Sequence, residues 1–355
     1  RCLVSAMSTT TTSPHLQRRE RCILVTGAAG QIGTELLIEL RKRYGNNNVI
    51  GLGRKTKPSG IINQRAPGPF IMNINICDQR SLESVFEKYR NIETIYHLAA
   101  ILSGTGEQNP LLCWRVNMDG TLNLLEIARK RGIKNILIPS SIGAFGPDVS
   151  NMRLASQREA MHPESMYGVT KVAGEILANY YNKRYGMNIR GLRLPGIISI
   201  EVAPGGGTTD YAVHIFYDAI LKGKYVSFIE ENTALPMMYM PDAIDSMIEL
   251  MEYQGSGLQR YTDFNVTAFS FTPKELAQSI RKYIREFEIE YKPDFRQRIA
   301  ESWPDDMDDS EARQQWNWRP KYDLDAMTKE IIYRLKERLQ QTGSIYPKSV
   351  SESKL

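Results

Sequence analysis

Tyr167-Gly-Val-Thr-Lys171 places a phenol four residues ahead of an amine. On a helix the two lie one turn apart on the same face, with Cβ atoms about 6 Å apart. A free phenol titrates near about pH 10, too high for a base at neutral pH. An adjacent ammonium favours the phenolate. Such a pair is able to take a proton from an alcohol while hydride leaves the same carbon for a nicotinamide ring. An amphipathic helix with a surface Tyr and Lys shows the same spacing, so the surroundings must decide.

A second constellation lies upstream, in Cys22-Ile-Leu-Val-Thr-Gly27-Ala-Ala-Gly30-Gln31-Ile32-Gly33. A short buried strand, 23–26, runs into a glycine-rich turn. A helical pattern follows over 31–44, with Ile32, Leu36, Leu37 and Leu40 on one face. Gly27 allows the tight turn, Gly30 lets the backbone approach a pyrophosphate, and Gly33 lets the helix pack on the strand. The helix start supplies the positive end that phosphates need. A second strand, 48–52, leads to Gly53 and Arg54, where an NAD-binding unit usually carries an acid for the ribose. Arg54 is open to two readings, a 2′-phosphate partner that favours NADP or a solvated loop arginine.

The elements that must position these groups repeat in strand–helix order. Residues 55–69 read as a loop. A strand over 70–74 leads to Asp78 and a helix over 79–89. Asp78 either accepts from an adenine amino group or caps that helix. A strand over 94–98 ends in Leu98-Ala99-Ala100, small residues that leave room for a ligand above a sheet. A loop over 101–110 carries Ser103, which serves a substrate or a turn. A long helix, 111–131, contains Asn117, an unfavourable interior residue that invites explanation. A strand over 135–138 precedes Pro139-Ser140-Ser141. The Tyr167 helix spans 163–185, and a strand over 188–194 stops at Pro195-Gly196. This order predicts an α/β fold, a Rossmann-like doubly wound parallel sheet.

The pattern then changes. A glycine-rich loop, 204–210, precedes an amphipathic helix over 211–222. Methionines 237, 238 and 240, read as core filler, precede a helix over 243–253. A strand over 263–266, a capped helix over 272–286 and a last helix over 324–341 complete the chain. The organisation expected is a disordered or targeting segment at 1–21, a dinucleotide-binding domain at 22–199, and a mainly substrate-binding α/β region at 200–342. Within the last, 234–266 returns to the main sheet, and 343–355 forms a tail.

Composition removes several classes. The 355 residues carry a modest net charge of +5. Basic clusters at 18–21 and 41–43 lack interleaved aromatics, so no nucleic-acid partner is expected. No apolar run reaches bilayer length, so no membrane role is expected. Cys2, Cys22, Cys77 and Cys113 show no metal-ligand spacing and read as free thiols. With four histidines and no ligand cluster, no metal is expected. Residues 1–19 contain three arginines and no acid, which suits a mitochondrial transit segment or a disordered tail. Ser353-Lys354-Leu355 is a competing peroxisomal address.

The ordered set Gly27-x-x-Gly30-x-x-Gly33, Leu98-Ala99-Ala100, Asn117, Ser141 and Tyr167-x-x-x-Lys171 resembles the extended short-chain dehydrogenase/reductase family over roughly 22–340. His97–Ser103, Pro139–Gly146, Pro204–Val213, Leu235–Asp242, Ser302-Trp-Pro and Asp308-Asp-Ser310 look closer still to its L-threonine 3-dehydrogenase branch. That resemblance implies NAD-dependent oxidation of the L-threonine 3-hydroxyl to 2-amino-3-oxobutanoate, the first step of threonine degradation toward glycine and acetyl-CoA. It implies a homodimer as well. Tyr167 would be the base, and Lys171 would assist it and bind the nicotinamide ribose. Ser141 would hydrogen-bond the reacting oxygen. Gly27, Gly30, Gln31, Ile32 and Gly33 would receive the pyrophosphate region, with Arg54, Asp78, Leu98, Ala99 and Ala100 on the adenosine side. Asn117 would hold backbone or a relay water, and Pro195 would lie beside the nicotinamide. Ser103, Gly196, Thr208 and Thr209 would join Ser141 and Tyr167 around the amino acid. Gly53 departs from the pattern and weakens the NAD assignment. Two other readings stay open, a sugar-nucleotide epimerase/dehydratase and a non-catalytic dinucleotide-sensing protein. Pro195-Gly196 and the triple glycine before Thr208 suit a small closed site rather than a nucleotide diphosphate. A catalytically dead chain would be expected to lose Tyr167 or Lys171.

Overall fold

A computed structural model of the chain describes residues 22–149, 154–159, 161–202 and 206–346. Both targeting readings, Cys2, Pro204 and Gly205 lie outside the described residues. The order begins β1 (Cys22–Thr26), α1 (Gln31–Tyr44), β2 (Val49–Leu52), α2 (Gly60–Arg65), β3 (Phe70–Ile71), α3 (Gln79–Lys88) and β4 (Ile92–His97). Then come α4 (Ser103–Gln108), α5 (Pro110–Trp114), a π-helical turn (Arg115–Asp119) and α6 (Gly120–Lys130). Strands β5 (Asn135–Leu137) and β6 (Ser140–Ser141) lead to α7 (Met166–Tyr185). Strands β7 (Asn188–Arg190), β8 (Leu192–Leu194) and β9 (Gly196–Ile198) follow.

The main sheet has six parallel strands in the order β3-β2-β1-β4-β5-β7. The order reverses between β1 and β4, and a parallel sheet opens its ligand crevice at such a point. Strand side chains alternate between faces. Ile23 and Val25 of β1 pack with Leu36, Leu37 and Leu40 of α1. Cys22 and Leu24 pack on the other face with Leu82, Leu124 and Ala178 of α3, α6 and α7. Each fully buried leucine contributes roughly 2–3 kcal/mol by burial. These two cores hold the carboxyl ends of β1 and β4 side by side.

The remaining elements are α8 (Tyr211–Lys222), β10 (Lys224–Ser227), β11 (Leu235–Tyr239), α9 (Met240–Glu252), β12 (Phe264–Asn265), β13 (Phe269–Phe271) and α10 (Pro273–Arg281). They end with β14 (Glu288–Tyr291), α11 (Phe295–Glu301), α12 (Ser310–Trp316) and α13 (Leu324–Thr342). β12 pairs with β8 and β8 with β6, all parallel, while β11 lies between β9 and β13. A third core gathers Ile215 and Phe216 of α8, Leu276 and Ile280 of α10, and Ile331 and Leu335 of α13. The three methionines at 237, 238 and 240 are buried core residues.

Several local expectations need correction. The loop over 55–69 contains α2, whose start is capped by the Ser59 hydroxyl. The loop over 101–110 contains α4. The strand over 70–74 is only two residues long. The strand over 188–194 breaks at Gly191, where a Cβ would sit 2.6 Å from both the Ile138 and Thr262 carbonyl oxygens. Close backbone approach there moves the chain from β5 toward β6 and β12. Met237–Asp242, read as a stretch before a helix, holds the end of β11 and the start of α9, which begins at Met240 rather than at Ala243.

Candidate active site

The crevice above β1 and β4 is a cavity of about 870 Å³. The glycine turn forms one wall. Gly27 has φ +68°, and a Cβ on it would lie 2.7 Å from the Ala99 nitrogen. Gly33 approaches Gly27 so closely that a Cβ would meet its oxygen at 2.2 Å. No side chain caps α1, and its first turn carries no acid. Its amide groups are therefore available to an anion.

The reactive groups converge on the opposite wall. The Ser165 hydroxyl caps α7 by accepting from Gly168 N–H at 3.1 Å, which sets the start of the Tyr167 helix. Tyr167 is buried but lines the cavity. Lys171 Nζ lies 5.4 Å from the centre of its ring and donates to the Pro139 carbonyl at 2.8 Å. Ser141 Oγ accepts from Gly143 N–H at 3.1 Å, so its own proton remains to be donated. A Cβ on Gly143 would lie 3.1 Å from the Tyr167 ring and 3.6 Å from Ser141 Oγ. Glycine there lets the two side chains share one corner.

Asn117 sits in the π-helical turn, a feature that recurs at functional sites. Its Oδ1 accepts from Ile101 N–H at 2.8 Å, and its Nδ2 donates to the Ile101 carbonyl at 3.1 Å. Nδ2 also donates to Thr170 Oγ1 at 3.0 Å, and Thr170 donates to the Tyr167 carbonyl at 2.7 Å. Asn117 thus ties the strand end after β4 to the first turn of α7.

His97 makes a parallel tie. Ala99 N–H donates to Thr26 Oγ1 at 3.2 Å, which leaves the Thr26 hydroxyl proton for His97 Nδ1 at 2.8 Å. Thr121 Oγ1 donates to the Asn117 carbonyl at 2.6 Å and lies 3.0 Å from His97 Nε2. Counting protons assigns the neutral tautomer with hydrogen on Nε2. Burial, helped by the Lys171 charge, pushes the imidazole down to about 3.

The far end is lined by the turn before α8. Ser103 and Thr208 hydroxyls meet at 3.1 Å, and Thr208 N–H donates to Ser103 Oγ at 3.4 Å. Asp210 accepts from Gly206 and Gly207 N–H groups at 2.9 and 2.8 Å. Burial raises this carboxyl to about 6 against those two hydrogen bonds.

The cavity gathers the expected residues Gly27, Gly30, Gln31, Ile32, Gly33, Arg54, Leu98, Ala99, Ala100, Ser103, Asn117, Ser141, Tyr167, Lys171, Pro195, Gly196, Thr208 and Thr209. Asp78 is not among its lining. Its carboxylate accepts from Arg80 and Ser81 N–H groups at 3.0 and 3.4 Å, so the capping reading is the one the structure has. The lining also includes Lys55, Lys57, His97, Asp210 and Trp303, to which sequence reasoning assigned no role. The Ser302-Trp-Pro stretch was the available signal for Trp303.

The model of the NAD dependent epimerase/dehydratase family matches residues 23–266. The chain belongs to this family. An uncharacterized epimerase/dehydratase of Staphylococcus haemolyticus is 42% identical over 90% of the chain and 98% of its own length. The structure of L-threonine dehydrogenase from Clostridium difficile matches with a TM-score of 0.85 at 45% identity, over 90% of this chain and 98% of that one. A monomeric L-threonine 3-dehydrogenase from a metagenome, in apo form, matches with a TM-score of 0.82 at 43% identity, over 89% and 99%. The family cofactor fits the cavity. Gln31 Nε2 is a buried donor without a partner at the start of α1, beside the glycine cradle. Such an orphan is costly unless a ligand satisfies it.

Proposed function

We propose that this chain oxidises the 3-hydroxyl of L-threonine to 2-amino-3-oxobutanoate, with NAD. One observation carries the reading. Tyr167, Lys171 and Ser141 share a corner of the glycine-cradled cavity, in a chain 45% identical to an L-threonine dehydrogenase. Bound NAD supplies the hydride acceptor. Ser141 donates its free proton to the substrate oxygen and holds it near Tyr167. Tyr167 takes the hydroxyl proton as the C3–H bond breaks. Lys171, anchored on Pro139, keeps a positive charge beside the phenolate and has two N–H groups left for the nicotinamide ribose. Ser103, Thr208 and Thr209 present hydroxyls at the amino-acid end.

A sugar-nucleotide substrate needs an open path for its diphosphate. The Ser103–Thr208 contact and the Asp210-bound turn instead draw that end together. The test is NADH absorbance on adding L-threonine to the purified chain with NAD, with a UDP-sugar as control. Absence of NADH with threonine would reject the reading, and turnover of the UDP-sugar would favour the epimerase class.

The homodimer belongs to the same proposal. Leu111, Trp114 and Leu122 on the α5–α6 rod, and Val169, Ile176 and Tyr180 on neighbouring α7, are exposed apolar side chains at helical spacing. Two such adjoining stripes suit a second copy of this chain. Light scattering on the purified chain, with Ile176→Glu as the disrupting variant, reads this out. A monomeric wild-type chain would reject it.

A further inference from the structure

We infer that the edge of the cavity after β2 takes a 2′-phosphate, so that this chain binds NADP as well as NAD. The inference rests on the dinucleotide site described above. In this fold the carboxyl end of β2 meets the adenosine ribose, and an acid there accepts the ribose hydroxyls. Gly53 has no such group. A Cβ on it would lie 3.0 Å from both Met72 Sδ and Phe70 Cε1, so an acid there would require those side chains to shift. No acid substitutes from nearby. Among the described residues lining the cavity, the carboxylates are Glu175 and Asp210. Glu175 is held by Arg193 and Asp210 by two backbone N–H groups.

The same edge carries Arg54, Lys55 and Lys57, all lining the cavity and all exposed. Among the described residues none of the three has an ion-pair or side-chain hydrogen-bond partner. Their charges are therefore uncompensated at one rim. The backbone beneath them is nevertheless fixed. Gly53 N–H donates to the Ile71 carbonyl at 2.9 Å, Ile74 N–H to the Gly53 carbonyl at 3.1 Å, and Asn73 N–H to the Arg54 carbonyl at 3.1 Å. Arg54 thus projects an unengaged guanidinium from a pinned Cα. Thr56 and Ser59 add hydroxyls along the same edge.

A phosphate monoester carries about −1.5 to −2 charge at neutral pH and matches a guanidinium fork. An acid at position 53 would repel it, and Gly53 presents none. A ribose hydroxyl is neutral and is not repelled by these cations, which donate hydrogen bonds that it is able to accept, so NAD remains a ligand. A merely solvated basic loop would favour an added phosphate alike at the 2′ and the 3′ position.

Calorimetric titration of the purified chain with adenosine 2′,5′-bisphosphate, with its 3′,5′ isomer and with 5′-AMP separates these cases without any turnover. The 2′,5′-bisphosphate is expected to bind about tenfold more tightly than either of the other two at low salt, with a gap that narrows as salt rises. In the Arg54→Gln/Lys55→Gln variant the gap is expected to close, while 5′-AMP affinity changes less than about twofold. Equal affinity in the parent chain overturns the inference, as does a gap that the variant leaves intact. Threonine oxidation with NAD, run in parallel, tests the dehydrogenase reading separately. Its failure beside a sound binding preference would sink that reading and leave the 2′-phosphate site standing.

Discussion

Lys171 Nζ stands 5.4 Å from the centre of the Tyr167 ring and is tethered to the Pro139 carbonyl at 2.8 Å. The tether comes from the turn that also delivers Ser141. One short segment after β5 therefore orients both the ammonium and the hydroxyl that serve the phenol.

Tyr167→Phe removes the proton acceptor and leaves the glycine cradle untouched. Turnover should fall by about 10²–10⁴-fold, the usual contribution of a general base. NADH affinity, followed by fluorescence titration, should stay within about twofold. Near-parental turnover would reject Tyr167 as the base.

Asn117→Ala strips both backbone groups of Ile101 and the Thr170 hydroxyl of a partner. Leaving a buried polar group unpaired costs about 1–3 kcal/mol. Urea unfolding should show a loss of at least about 2 kcal/mol. Turnover should fall too, because Thr170 braces the Tyr167 backbone. A variant with the parent's unfolding midpoint and rate would contradict this role.

Arg193 is 1% exposed and makes paired 2.9 Å hydrogen bonds to both oxygens of Glu175. It also donates to the Gln157 carbonyl and to Asn265 Oδ1, each at 3.3 Å. Arg193→Met leaves the Glu175 carboxylate buried and alone, which should cost about 3–5 kcal/mol. The double variant Arg193→Met/Glu175→Leu should recover part of that loss in thermal unfolding. A double variant no more stable than the single one would argue against the stranded-charge explanation.

Glu35 on α1 is partly buried and accepts from the Ser199 hydroxyl, beside Glu201 with its partners Arg334 and Arg338. Burial raises its carboxyl to about 7, opposed by the Ser199 hydrogen bond. In the unfolded chain a glutamate titrates near about 4.3. Between those values the folded chain holds a proton that the unfolded chain has released. Stability contributed by this group therefore falls as pH rises through that window and stays low above it. Glu35→Gln should shrink the drop in Tm between pH 5 and pH 8 and gain on the order of 1 kcal/mol at the upper end. A variant that keeps the parent's full pH dependence would assign the effect elsewhere.

Much of the site was legible before any coordinates. The glycine spacing and the Tyr-x-x-x-Lys spacing are local, because a tight turn and one helical turn need nothing distant. Helix bounds at Gln31–Tyr44 and Tyr211–Lys222 follow the apolar period and match residue for residue. Asp78 was ambiguous because a carboxylate before a helix serves a cap and a ligand equally well in sequence.

Other features needed the packed chain. Ser103–Gln108 reads as a loop because Gly104 and Gly106 are poor helix formers. In the structure a Cβ on Gly104 would lie 2.7 Å from the Gly206 oxygen, and one on Gly106 would lie 3.1 Å from Cys113 Sγ. Gly104 thereby permits contact with a segment about a hundred residues away and Gly106 lets α4 pack on α5, and those contacts offset their low propensity. The bonds from Asn117 to Ile101 and Thr170, from Lys171 to Pro139 and from Ser103 to Thr208 likewise join residues 16 to 105 positions apart. Short-range periodicity determined which groups this chain carries and which helix faces hold them. Only long-range burial and hydrogen bonding decided that they meet in one crevice, because neither has any signature in the spacing of neighbouring residues.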